Sequence, residues 1–283
     1  MSEGPHEPAE PLPEAAEQRL SSSAFTSGLS VTEWALATQL GMRPVGQVLG
    51  TSVFQHGRQF LPQGWVGEEA VCELHARMSA WDRARGGALD RLSEEARRLQ
   101  ADAVVGVRVH RAEGEYGPGT CEYAVFGTAV RFGDREDHSW PILTDLSVDD
   151  YYRLRVAGYA GVGLLATTAV VFVSPSTSTR LNRMATFSTN QEMQDYTRGV
   201  IGGRDLARRR IRSQASSVQA TDVVGLTVEH HVEHEEFEVG YYGSDVNRHG
   251  FMITVHMLGT AVRHIEQVPL YPPEGVNRLG VHR

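Results

Sequence analysis

Two stretches of this chain spell nearly the same words in the same setting. Residues 101–109 read Ala-Asp-Ala-Val-Val-Gly-Val-Arg-Val, and residues 220–228 read Ala-Thr-Asp-Val-Val-Gly-Leu-Thr-Val. Each follows a helical pattern and opens a strand. Each is followed by a second strand ending alike, Phe126-Gly127-Thr128-Ala129-Val130-Arg131 in one case and Leu258-Gly259-Thr260-Ala261-Val262-Arg263 in the other. An internal repeat fixes the architecture before any single residue is interpreted. It speaks to fold more clearly than to activity.

The repeat extends upstream. Leu29-Ser30-Val31 is matched by Leu146-Ser147-Val148, Trp34 by Tyr151, Gly41 by Gly158, and Val45-Gly46 by Val162-Gly163, without a gap. Ser30 with Glu33 three residues on predicts a capped helix. Residues 45–54 read as a strand and 55–67 as a loop. From about residue 68 to 100, apolar side chains recur at three- and four-residue steps (Val71, Leu74, Met78, Trp81, Ala88, Leu92, Ala96, Leu99), a helix with one face laid against a sheet. Glu73 with Arg77 and Glu94 with Arg98 are favourable i,i+4 pairs, and Gly86-Gly87 is a weak point. Val105, Val107 and Val109 then alternate with Gly106, Arg108 and His110, as in a half-buried strand. A turn over 114–119 leads to a return strand over 121–132. The second copy predicts a long helix over 190–218 and strands over 222–233 and 251–264.

The expected fold class is therefore α+β, a tandem repeat of small domains, each a mainly antiparallel sheet packed by a long helix. The expected organisation is a disordered acidic tail over 1–20, repeat 1 over 21–133, repeat 2 over 142–266 and a loose tail over 267–283. The first 20 residues or so are rich in Glu, Pro and Ala and show no basic start followed by an apolar run, so no signal sequence is expected.

These words, Ala-Asp-Ala-Val-Val-Gly-Val-Arg and Phe-Gly-Thr-Ala-Val-Arg, resemble the YbjQ-type family, labelled heavy-metal-binding domains. The resemblance covers residues 25–132 and, more weakly, 142–265. It implies small dodecin-subunit-like α+β units that assemble into rings, and hence a homo-oligomer. It carries over no catalytic residue. Gly106, Gly225, Gly127 and Gly259 read as structural or assembly positions, since glycine inside a strand marks a bulge or a close approach. Asp102 and Asp222 read as side chains bonded to local backbone at the helix-to-strand turn.

Composition narrows the chemistry. All 27 basic residues are arginine. Without lysine there is neither Schiff-base chemistry nor a Walker-type phosphate loop. Cys72 and Cys121 match no metal or redox spacing, and nothing requires an oxidising compartment, so a cytoplasmic location is expected. A formal charge of -8 argues against general nucleic-acid binding. The apolar run over 156–173 is about long enough to span a bilayer. It is full of Gly, Ala and Thr, however, and its partner over 39–54 holds Arg43, Pro44 and Gln47. A helix end followed by a buried strand explains both copies, and no membrane contact is expected.

The sharpest chemical cluster is His230, His231, Glu233, His234 and Glu235. On a strand, His231, Glu233 and Glu235 share a face opposite His230 and His234. Imidazole and carboxylate together suit a divalent metal such as zinc. The competing reading is a hairpin end rich in exposed polar groups. Arg204, Arg208, Arg209, Arg210 and Arg212 form a basic patch, open to an acidic partner or to internal salt bridges; the acidic N-terminal tail is a second possible docking element. No nucleophile motif or dinucleotide fingerprint occurs. The expected function is a non-catalytic, ring-forming binding or scaffold module. The alternatives are a metal-binding protein using the His/Glu strand and an enzyme of unrecognised class.

Overall fold

The computed structural model describes residues 12–21, 26–57, 61, 71–132, 140–176, 179, 192–241 and 244–265. In chain order the elements are α1 (Glu14–Ser21), α2 (Val31–Gln39), β1 (Met42–Gln55), β2 (Val71–Glu73), α3 (His75–Arg98), β3 (Ala103–Glu113), β4 (Thr120–Phe132), β5 (Ile142–Leu143), α4 (Val148–Val156), β6 (Tyr159–Val173), α5 (Gln194–Ser217), β7 (Asp222–Tyr241) and β8 (Ser244–His264). The structure is mixed α+β with two four-stranded sheets, ordered β1-β4-β3-β5 and β2-β6-β8-β7.

The repeated words have local causes. Ser30 caps α2 in a full capping box with Glu33, and Ser147 caps α4 by accepting from the Asp150 amide. Gln100 and Gln219 take positive φ just beyond the long helices and turn each chain into its strand. The Arg that ends each closing word reaches back to those helix ends. Arg131 donates to the Leu99 carbonyl, and Arg263 donates to the Val218 and Gln219 carbonyls. Gly106 and Gly225 adopt φ of 61° and 66° at matching bulges in β3 and β7. Both positions thus need glycine for its backbone freedom, and a Cβ on Gly106 would meet nothing within 4 Å. Gly127 and Gly259 answer to close approach instead. A Cβ there would lie 2.6 Å from Val104 Cγ1 and 3.1 Å from Val223 Cγ1, respectively.

The layers stack in the order first sheet, α3, second sheet, α5. Helix α3 presses on β1, where a Cβ on Gly50 would fall 1.9 Å from the Ala88 carbonyl. Strand β1 alternates between buried positions and intermediate or exposed ones, because among the described residues α3 covers one of its faces. Strand β6 is buried at every position from Leu165 to Val173, because α5 lies on one face and α3 on the other. That double burial explains the apolar run over 156–173, which is the end of α4 followed by β6. Among the described residues no helix is long and apolar enough to cross a membrane.

Several expectations change. Part of the tail expected to be disordered is helix α1, held by Arg19 to Glu95. The first long helix begins at His75, not near residue 68, and stays continuous through Gly86-Gly87. Val71 and Glu73 lie in β2, so Glu73 is no helix partner of Arg77. Glu94 and Arg98 do pair within α3. Both strands of the last hairpin are longer than expected, at Asp222–Tyr241 and Ser244–His264. The loose tail expected over 267–283, most of the polar link that the sequence suggests over 133–141 and most of the loop over 55–67 lie outside the described residues.

Candidate functional site: the joint between the halves

The two halves complete each other's sheets. Strand β2, from the first half, adds antiparallel to β6 of the second. Strand β5, from the second half, adds parallel to β3 of the first. The β5 segment is tied down by four backbone bonds. The Ile142 and Thr144 amides donate to the Asp102 and Val104 carbonyls at 3.0 Å each, and the Gly106 and Val107 amides donate to the Leu146 and Thr144 carbonyls at 2.9 Å each. On its other side the Thr144 hydroxyl lies 2.8 Å from that of Thr260, which also takes the Asp145 amide and donates to the Asp145 carboxylate. Burial pushes the Asp145 carboxyl up; the Thr260 hydrogen bond opposes the shift.

A separate apolar cluster seals this seam. Ala37 of α2, Ala103, Val105 and Val130 of the first sheet, and Val148 and Tyr151 of α4 are all buried. Tyr151 stacks on Phe132 with ring centroids 6.1 Å apart. The opposite side of the joint is polar and charged. Arg77 on α3 bridges Glu113 of β3 and Glu235 of β7, Arg111 of β3 pairs with Glu229 of β7, and Arg210 of α5 pairs with Asp82 of α3. Trp81 of α3 meets His256 of β8 edge-on at 5.0 Å. The His256 imidazole is pushed down to about 3, first by burial and then by the charges of Arg111, His231 and Arg85. Burial, with Arg77 opposing, pushes the Glu113 carboxyl up.

The His/Glu strand is part of this joint. His231 Nε2 lies 3.0 Å from Glu233 Oε1, so these two share a face as the alternation predicts. Glu235 on that face belongs to Arg77, His234 leans on the Phe251 ring at 4.2 Å, and His230 is exposed. Among the described residues no three His, Cys, Asp or Glu side chains converge as a metal-binding group. Within the arginine run, Arg209 reaches Glu73, Arg210 reaches Asp82, and Arg208 pairs with Asp205 on its own helix. Two of these arginines therefore bind the first half of the chain.

Asp102 is 1% exposed and accepts from the Phe132 amide at 2.6 Å. Its counterpart in the second half is Thr221, whose hydroxyl accepts from the His264 amide at 3.3 Å; Asp222 is exposed. Sequence reading chose Asp222 by residue type and missed Thr221. The signal available was the count from Gly225 back, which equals that from Gly106 to Asp102. An open cleft of about 510 Å³ lies beside α2, lined by Trp34, Thr38, Arg43, Leu99 and Arg131 among others, with no carboxylate, thiol or imidazole in its wall.

Residues 68–133 match a family model described as "Putative heavy-metal-binding" (YbjQ type). The chain is similar to the Encapsulin nanocompartment protein Rv1762c of Mycobacterium tuberculosis, at 32% identity over 260 residues, covering 89% of this chain and 91% of the relative. No solved structure matches it. Similarity of that level over nearly the full length of both proteins carries one conclusion: the chain belongs to the same family as that encapsulin nanocompartment protein, with a YbjQ-type segment in its first half.

Proposed function

We propose that this protein is a non-catalytic, self-assembling scaffold whose second half is a further, more divergent YbjQ-like copy. The reading rests chiefly on the joint, where neither half's sheet is complete without a strand from the other. Units that trade edge strands are built to be assembled, since a bare sheet edge is a template for pairing. The matching strand orders and the bulges at matched positions, near Val45 and Val162 and again at Gly106 and Gly225, support the second copy. The relative's name, a nanocompartment protein, supports homo-oligomers, and a ring or closed shell is the architecture we favour. Both cysteines are free and buried, in keeping with a reducing cytoplasm. Size-exclusion chromatography with light scattering tests the reading. The expected mass is a multiple of the 31.2 kDa chain at micromolar concentration, and a clean monomer there overturns it.

A second reading keeps one observation. The close His231 and Glu233 side chains can supply two ligands to a divalent ion such as zinc, with solvent completing the shell. Titration calorimetry with Zn²⁺ on the wild type and on His231→Ala with His234→Ala checks it. The expected loss is tenfold or more in affinity; equal weak binding by both proteins disposes of it.

A further inference from the structure

Among the described residues the stack of layers has two open ends, and they carry the counterparts of positions that the internal joint buries. Positions that the joint buries in one half are exposed in the half that lacks the neighbour. Val148 of α4 is fully buried in the seam, whereas its counterpart Val31 on α2 is 88% exposed. On the outer face of β1, Leu49 and Val53 are 46% and 41% exposed; their counterparts on β6, Ala166 and Val170, lie under α3 at 4% and 0%. Val107 of β3 is 2% exposed, and its counterpart Leu226 on β7 is 46% exposed. Beside it Val228 and Val232 are 43% and 44% exposed.

The backbone repeats this pattern. The β3 edge receives residues 142–146, whereas β7 is the last strand of its sheet, with an identical glycine bulge at the same place. The matching donor segment, residues 26–29, is already held by its own sheet in the same way. The Gly28 amide donates to the Thr128 hydroxyl, as the Asp145 amide does to Thr260. The layers agree too. Among the described residues the first sheet has an open outer face and α5 is the last layer, with Ile201 54% exposed.

We propose that a second copy of this chain docks head to tail, its residues 26–29 pairing with the β7 edge at residues 223–226 and its outer β1 face closing over β7 and α5. The pairing copies the internal joint. The Ser27 amide of the incoming copy donates to the Val223 carbonyl, and the Gly225 and Leu226 amides donate to the Leu29 and Ser27 carbonyls. Val31 of the incoming copy takes the place that Val148 holds in the seam. The inference deepens the scaffold reading and rests on it. The contact is heterologous, so each copy uses both ends and the contacts propagate from copy to copy.

Two variants and one cross-link test it on the full chain. Val31→Asp sits in the first turn of α2, where an acidic side chain suits the helix, and Leu226→Arg changes a side chain that is 46% exposed. The assembly of the wild type is expected to fall to monomers in each, with the circular dichroism spectrum and melting temperature of the monomer unchanged. Thr26→Cys with Val223→Cys is expected to give an oxidised ladder of covalently joined chains, while each single variant gives none. Leu143→Cys with Val104→Cys, the same pair inside one chain, is the positive control and stays monomeric on a denaturing gel. An assembled wild type whose mass survives both point variants, with no ladder, overturns this joint and leaves self-assembly standing. A monomeric wild type overturns both.

Discussion

At the scale of single residues, the joint is held by groups that one sequence position rarely announces. His256 reads as a scattered histidine in a strand, yet it sits between Trp81 and the Thr168 hydroxyl, 2.9 Å from its Nδ1. Its pKa of about 3 in the folded chain, below the ordinary 6.5, has a consequence for stability. Above pH 6.5 both states hold the ring neutral and it costs nothing. Between 6.5 and about 3 the unfolded chain takes up a proton that the folded chain refuses, so stability falls as pH falls, by up to ~1.4 kcal/mol per pH unit. Denaturant unfolding of His256→Asn is expected to show a shallower loss between pH 6.5 and 4 than the wild type; parallel acid arms would contradict the assignment. Asp102 and Thr221 teach the complementary lesson. The site needs an acceptor for one amide, and carboxylate and hydroxyl both serve, so matching by residue type led to Asp222 when the geometry uses Thr221.

At the scale of elements, the sequence told most where periodicity was long. The helices α3 and α5 and the hairpins that follow them were legible because an apolar stripe or an alternation runs through each. Strands β2 and β5 were not. Three and two residues long, they carry no period, and their partners lie in the other half of the chain, so no local pattern could place them. The same long-range cause governs β6. Its unbroken apolar run looked ambiguous because burial on both faces erases alternation, and the second cover is α3 from the first half. The His/Glu strand was legible as a strand with His231 and Glu233 on one face. That Glu229 and Glu235 answer Arg111 and Arg77 depends on the stacking of the halves, which the strand itself does not encode.

At the scale of the whole molecule, the chain is a stack of four layers whose one internal joint is complete and whose two ends are open. Burying Val31, which is 88% exposed, contributes on the order of 1.5–3 kcal/mol, and burying Leu226 and Val228, which are 46% and 43% exposed, contributes about half of that each. Against this stands the cost of association, roughly 4–15 kcal/mol of lost translational and rotational freedom, so the strand pairing and the covered sheet face carry the contact together with these anchors. A heterologous contact closes into a ring or runs on as a filament according to the rotation it imposes. The direct measurement is electron cryo-microscopy of the full-length protein at the concentration where it assembles. The head-to-tail joint predicts closed particles in which residues 26–29 of each copy lie along β7 of its neighbour and Leu49, Val53 and Val31 are buried; particles built from other contacts, with the β7 edge facing solvent, rule that joint out.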